Sequence, residues 1–164
     1  MDLTSYDLED LLLAAIKSEE ESNQVYTKIA NHVENGLMKD KFHFLAKEEQ
    51  KHKQYISDLY KSEYPDKTLQ LPKQTPVPLP EVTIPEDEDI PVSKVLTQAM
   101  AAEQAAHDFY LSLSERYEDT TVKNMLHYFA DMETGHYNIL KQEKESMEWF
   151  EQSDVYWPMI HAGP

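Results

Sequence analysis

Apolar residues along this chain recur at three- and four-residue intervals, the spacing that gathers side chains on one face of an α-helix. Leu8, Leu11, Leu12, Ala15, Ile16, Tyr26, Ile29 and Val33 form such a stripe. It predicts a first helix over about 4–34, with Thr4 and Asp7 in a capping-box pattern and Asn35-Gly36 as its stop. Met38, Phe42, Leu45, Ile56 and Leu59 predict a second helix over about 37–62. Pro65, Pro72, Pro76, Pro78, Pro80, Pro85 and Pro91 then forbid regular helix, so about 63–92 reads as an extended connection. Helical spacing resumes over about 93–117 and 120–147, with Glu118-Asp119-Thr120 supplying the turn and cap between them. The remaining tail, about 148–164, is rich in aromatic residues and is expected to pack on the bundle or on another subunit.

Shifting the sequence by 84 residues lays the second helical pair on the first without a gap. Ala15 then meets Ala99, Glu19 meets Glu103, Tyr26 meets Tyr110, His43 meets His127, Ala46 meets Ala130, Glu49 meets Glu133 and His52 meets His136. The expected architecture is an all-α, pseudo-two-fold bundle of two αα-hairpins in one domain spanning 1–164. Extended chain between the hairpins is long enough to return along a helix of about 35–40 Å.

Six polar residues lie on the apolar stripes themselves, where an ordinary bundle has core. Glu19 continues Leu12, Ala15 and Ile16, and Glu103 continues Leu96 and Ala99. Glu49 and His52 fall between Leu45 and Ile56, and Glu133 and His136 fall between Phe129 and Leu140. Four carboxylates buried together without compensation would take up protons or unfold the chain. Two divalent cations balance Glu19, Glu49, Glu103 and Glu133, while His52 and His136 add neutral nitrogen ligands. Glu and His at i and i+3 share a helix face, so each Glu-x-x-His pair can serve one ion. One Glu from each of two helices and Glu-x-x-His from each of the others is the donor set of two-metal carboxylate bundles.

Composition narrows the chemistry. The formal charge of −16 opposes nucleic-acid and anionic-membrane partners, since phosphate binding draws its affinity from Lys and Arg. The absence of Cys rules out thiolate-held zinc and iron–sulfur centres within these residues. No apolar run is long enough to span a bilayer and the acidic start lacks signal-peptide features, so the expected location is cytoplasmic.

The segments AIKSEEESNQVY, FLAKEEQKHK, AMAAEQAAHDFY and FADMETGH resemble the rubrerythrin-like branch of the ferritin-like superfamily. That resemblance implies a ferritin-like four-helix bundle with two iron ions, in which Glu49 and Glu133 bridge, Glu19 and Glu103 are terminal, and one His serves each iron. It also implies a peroxide- or dioxygen-reducing oxidoreductase. Two departures stand out. No Cys-ligated rubredoxin unit accompanies the site, so electrons come from an external rubredoxin-like donor or from iron itself. The extra third-helix Glu common in rubrerythrins is replaced by Ala106. A homodimer is expected.

Other readings stand beside this one. Iron oxidation, storage or delivery would use the same centre, a binding bundle would hold metal without turnover, and manganese or zinc would also accept these ligands. Tyr26 and Tyr110 fit either donors to the ligands or core aromatics. His107, one turn after Glu103, fits a neighbour of the metals, although its counterpart is Asn23. His43 and His127 fall opposite the ligand stripe and read as surface groups. Glu20, Glu21 and Glu48 read as solvated neighbours of the ligands. Gly135 costs a helix about 1 kcal/mol relative to Ala, and either close packing or ligand access would account for it.

Overall fold

A computed structural model of the chain describes residues 2–74, 76–80, 82 and 92–154, with side chains described up to Trp149 at the carboxyl end. Four helices and no strand occur among these residues: α1 (Leu8–His32), α2 (Gly36–Glu63), α3 (Val92–Ser114) and α4 (Thr120–Asp154). α1 packs along α2 and α3 along α4, while the two hairpins meet through α1 against α3 and α2 against α4. The expected fold class and hairpin pairing are thus the observed ones.

Several helix ends differ from the sequence expectation, each for a local reason. Thr4 does not open α1: its backbone N–H and hydroxyl both donate to Asp2 Oδ1, at 3.0 and 2.7 Å, in a turn ahead of the helix, and the helical ladder begins where the Asp7 carbonyl accepts from the Leu11 N–H at 3.1 Å. The N-cap of α1 is Asp7, whose side chain makes no cap hydrogen bond. Asn35 begins α2 rather than ending α1: its side-chain oxygen accepts from the Met38 N–H at 3.1 Å, the usual N-cap service to an orphan donor. Asp119 serves α4 likewise, accepting from the N–H groups of Thr121 and Val122 at 2.7 and 3.0 Å. α3 stops three residues early, at Ser114. α4 runs seven residues past the expected 147, so the start of the expected tail is helix, and the rest of that tail, 155–164, lies outside the described residues.

Two apolar clusters fill the bundle. One gathers Leu11, Leu12, Ile16, Ile56, Tyr60, Phe109, Leu113, Leu126 and Phe129. The other gathers Val25, Ile29, Phe42, Leu45, Val95, Leu96, Ala99 and Leu140. On every helix the six polar residues fall between the stretch that feeds one cluster and the stretch that feeds the other. Burying a large aliphatic or aromatic side chain contributes about 1.5–3 kcal/mol, so these two clusters pin the middle of the bundle from both ends. The connection follows the same axis: Val77 is buried in the first cluster, with Leu69 and Leu79 against it, and Val82 packs on the second. Arg116 Nη1 donates to the carbonyls of Leu3 and Tyr6 at 2.8 and 3.0 Å and fastens the amino-terminal turn.

Gly135 faces solvent, and a Cβ built on it meets no atom within 4 Å. Close packing is therefore not its reason. Gly135→Ala is expected to raise stability by about 1 kcal/mol, the helix-propensity difference alone, measured as an upward shift in thermal unfolding.

Candidate metal centre

Glu19, Glu49, His52, Glu103, Glu133 and His136 are all buried, none more than 4% exposed. α1 and α3 bring one carboxylate each, and α2 and α4 each bring a carboxylate and an imidazole one helical turn apart. His52 Nδ1 lies 3.0 Å from Glu133 Oε1, 3.4 Å from Glu49 Oε2 and 3.6 Å from Glu19 Oε2. His136 Nδ1 lies 3.0 Å from Glu49 Oε1, 3.1 Å from Glu133 Oε2 and 3.6 Å from Glu103 Oε2. Each imidazole nitrogen thus faces three carboxylates, and the two sets share Glu49 and Glu133. The two imidazole rings stack at 5.7 Å with an interplanar angle of 22°.

Two four-residue groups have ligand atoms within 4.8 Å of one another: Glu19, Glu49, His52 and Glu133, and Glu49, Glu103, Glu133 and His136. Glu49 turns one oxygen to each imidazole, and so does Glu133. Protein neighbours alone leave this cluster poorly satisfied. Glu49 Oε1, Glu133 Oε1, both nitrogens of His52 and His136 Nε2 are buried without a hydrogen-bond partner, although such atoms ordinarily have one. Oxygen and imidazole donors converging without donors of their own suit divalent cations, so the residues present fit a two-metal group.

The electrostatics agree. Burial, with the neighbouring Glu49 charge, pushes Glu19 up to about 7, and burial with the Glu133 charge pushes Glu103 up to about 8. Burial and Glu103 act the same way on Glu49, but His136 and His52 outweigh them and hold it below the usual carboxylate range. Burial opposes the charge on His52, yet Glu133, Glu19 and Glu49 outweigh burial and push it up to about 12. His136 is likewise raised, by Glu103, Glu133 and Glu49 against the effect of burial. Without cations, the cluster therefore approaches neutrality by holding protons.

Tyr26 and Tyr110 join the site across the hairpin boundary. The Tyr26 hydroxyl donates to Glu103 Oε1, and the Tyr110 hydroxyl donates to Glu19 Oε1. Each tyrosine thereby pins the outer oxygen of the opposite hairpin's Glu and leaves the Oε2 atom facing the imidazole. His107 is directed elsewhere: its Nδ1 donates to the Ala130 carbonyl at 2.8 Å and lies 3.2 Å from Thr134 Oγ1. His43 and His127 are exposed, and His127 Nε2 sits 2.9 Å from Ser114 Oγ. Glu20 and Glu21 pair with Lys53 and Lys17 near the surface. Glu48 departs from the solvated expectation, being 8% exposed and paired with Lys51 at 2.5 Å.

Four helices enclosing paired Glu-x-x-His motifs and two further glutamates define the ferritin-like class of two-metal carboxylate bundles. The sequence matches the rubrerythrin family model over residues 10–144, and the chain belongs to that family. Among solved structures it is similar to a hypothetical protein from Pyrococcus furiosus, with 32% identity, 91% of this chain and 95% of that chain covered, and a TM-score of 0.80. A search of curated proteins finds no match. No described helix is long and apolar enough to cross a membrane.

Proposed function

We propose that the chain binds two iron ions and acts as a di-iron oxidoreductase that reduces peroxide or dioxygen. One ion is assigned to Glu19, Glu49, His52 and Glu133, and the other to Glu103, Glu49, Glu133 and His136. The observation that carries this reading is the sharing of Glu49 and Glu133 by both groups. When bound as Fe²⁺, the pair supplies one electron per ion, a two-electron reduction without release of a radical.

The protein's part is positional and dielectric. Tyr26 and Tyr110 fix the two terminal carboxylates through their hydroxyls, which burial and the surrounding carboxylates keep protonated well beyond neutral pH. Phe129 lies 4.4 Å from the His52 ring, centroid to centroid, and limits its rotation. The two apolar clusters above and below exclude water from the carboxylates and strengthen every charge interaction among them. Ala106 supplies no fifth carboxylate, so the reading rests on four carboxylates and two imidazoles. An external rubredoxin-like donor would return the electrons, and the working unit is proposed to be a homodimer.

Anaerobic mixing of the Fe²⁺-loaded chain with hydrogen peroxide tests the proposal. One peroxide consumed per two iron ions is the expected result. Iron that stays reduced would leave a binding bundle, and oxidation followed by release or mineral growth in a cage-sized assembly would indicate storage.

A further inference from the structure

Two hydrogen bonds occupy equivalent places in the hairpins although different side chains make them. The Asn23 side-chain amide donates from α1 to the Ala46 carbonyl of α2 at 2.5 Å. His107 Nδ1 donates from α3 to the Ala130 carbonyl of α4 at 2.8 Å. The same 84-residue shift carries Asn23 onto His107 and Ala46 onto Ala130. Because a carbonyl only accepts, the His107 contact places a hydrogen on Nδ1.

Both acceptors belong to helix backbones whose carbonyls already serve the helical ladder, so each takes a further donor on its remaining lone pair, and at Ala130 the Thr134 hydroxyl also approaches, more weakly, at 3.4 Å. A small side chain makes this approach possible, and both positions hold buried Ala, 6% and 0% exposed. The donors also sit at fixed distances along the helices from the cluster. Asn23 and His107 are each four residues after the terminal Glu of their helix, and Ala46 and Ala130 are each three residues before the shared Glu of theirs. Each bond therefore closes a loop that runs from terminal Glu to donor, across to the carbonyl, and on to the shared Glu.

We propose that Asn23 and His107 are positioning residues that set the separation of terminal and shared carboxylates, Glu19 from Glu49 in one hairpin and Glu103 from Glu133 in the other. The inference rests on the two-metal reading above. Side chains that orient ligands from outside the coordination shell typically alter metal affinity 10–100-fold, and displacements of about 1 Å are enough to matter in such sites. Pairing of Asn with His across the duplication means that the donor hydrogen, not the residue type, is what the position requires.

Anaerobic Co²⁺ titration of the full chain, followed by visible absorption and paired with thermal unfolding of the metal-free protein, provides the test. His107→Leu and Asn23→Leu should each weaken binding of one of the two ions about 10–100-fold and alter its absorption spectrum. His107→Asn, which restores the donor used at residue 23, should keep the parent's affinity and spectrum, and Asn23→His should do the same if a Leu variant fails to fold. Equal losses in His107→Leu and His107→Asn would overturn the proposal. So would Leu variants that melt earlier but bind both ions with the parent's affinity and spectrum. A parent chain that binds no Co²⁺ pair would overturn the metal reading as well, whereas a parent that binds two ions with unaffected Leu variants overturns only the positioning role.

Discussion

Glu133→Ala is expected to abolish binding of both metal ions, and Glu49→Ala to do the same. Both residues belong to each four-residue group, so either substitution leaves two groups of three and removes the carboxylate that holds the ions together. Glu19 and Glu103 each belong to one group. Glu19→Ala and Glu103→Ala should accordingly retain one ion per chain, with the intact group still served by four residues. Metal analysis after loading and desalting separates these outcomes: about two ions for the parent, about one for the terminal variants and about none for the shared ones. Thermal stability supplies an independent reading. A ligand at 100 times its dissociation constant stabilises by about 2.7 kcal/mol, and that increment should vanish in Glu49→Ala and Glu133→Ala. Comparing chelated with loaded samples of each variant separates that increment from the effect of the substitution on the metal-free fold, where His52 and His136 lose a charge partner.

Removal of metal is expected to invert the pH dependence of stability. Glu19 and Glu103 ordinarily ionise near 4.5 but do so near 7 and 8 in the folded chain. Between those values the folded state holds protons that the unfolded state has released, so metal-free stability falls as pH rises. His52 and His136, raised above their ordinary 6.5, continue the fall above that pH. Glu49 is lowered, so its contribution is present above 4.5 and is lost as the solution becomes more acidic. Metal-free protein should therefore be most stable near pH 5 and weaker at pH 8 by several kcal/mol, since each tenfold difference in proton affinity between folded and unfolded chain is worth about 1.4 kcal/mol. Cations must displace these protons, about four at pH 6 and about two at pH 9, so affinity should rise with pH and the loaded protein should gain most at pH 8. Unfolding of chelated and loaded samples at pH 5, 6.5 and 8 checks both trends. Metal-free stability that rises from pH 5 to 8 would contradict this electrostatic account. A Glu19→Gln, Glu103→Gln double variant should flatten the metal-free profile.

The cluster was legible in the sequence because burial of six polar residues interrupts a helical stripe and a duplication repeats the interruption. The helix ends were less so. Thr4 has the right residue type for a cap, but it is taken up in a turn with Asp2, and the first helical carbonyl is that of Asp7, a local choice that periodicity does not register. Asn35 and Gly36 suit either a stop or a start, and only the Met38 N–H decides which. The tyrosines were visible as core residues two turns beyond Glu19 and Glu103. Their partners were not, since Tyr26 reaches Glu103 and Tyr110 reaches Glu19 through antiparallel packing of α1 on α3. Glu48 shows a similar limit: one residue before Glu49, it sits at the edge of the stripe and is buried, while Lys51, one turn later and itself exposed, reaches back to pair with it. His107 and its counterpart Asn23 were visible as a pair, but their shared backbone hydrogen bond was not, because the duplication preserves that bond and not the residue type.

Anomalous diffraction at the iron edge from crystals of the iron-loaded chain tests the central claim most directly. The account predicts two peaks in each chain, one against His52 Nδ1 and Glu19 and one against His136 Nδ1 and Glu103, with Glu49 and Glu133 touching both. Absence of iron from this cluster, or a single peak that leaves one imidazole without metal, would contradict it.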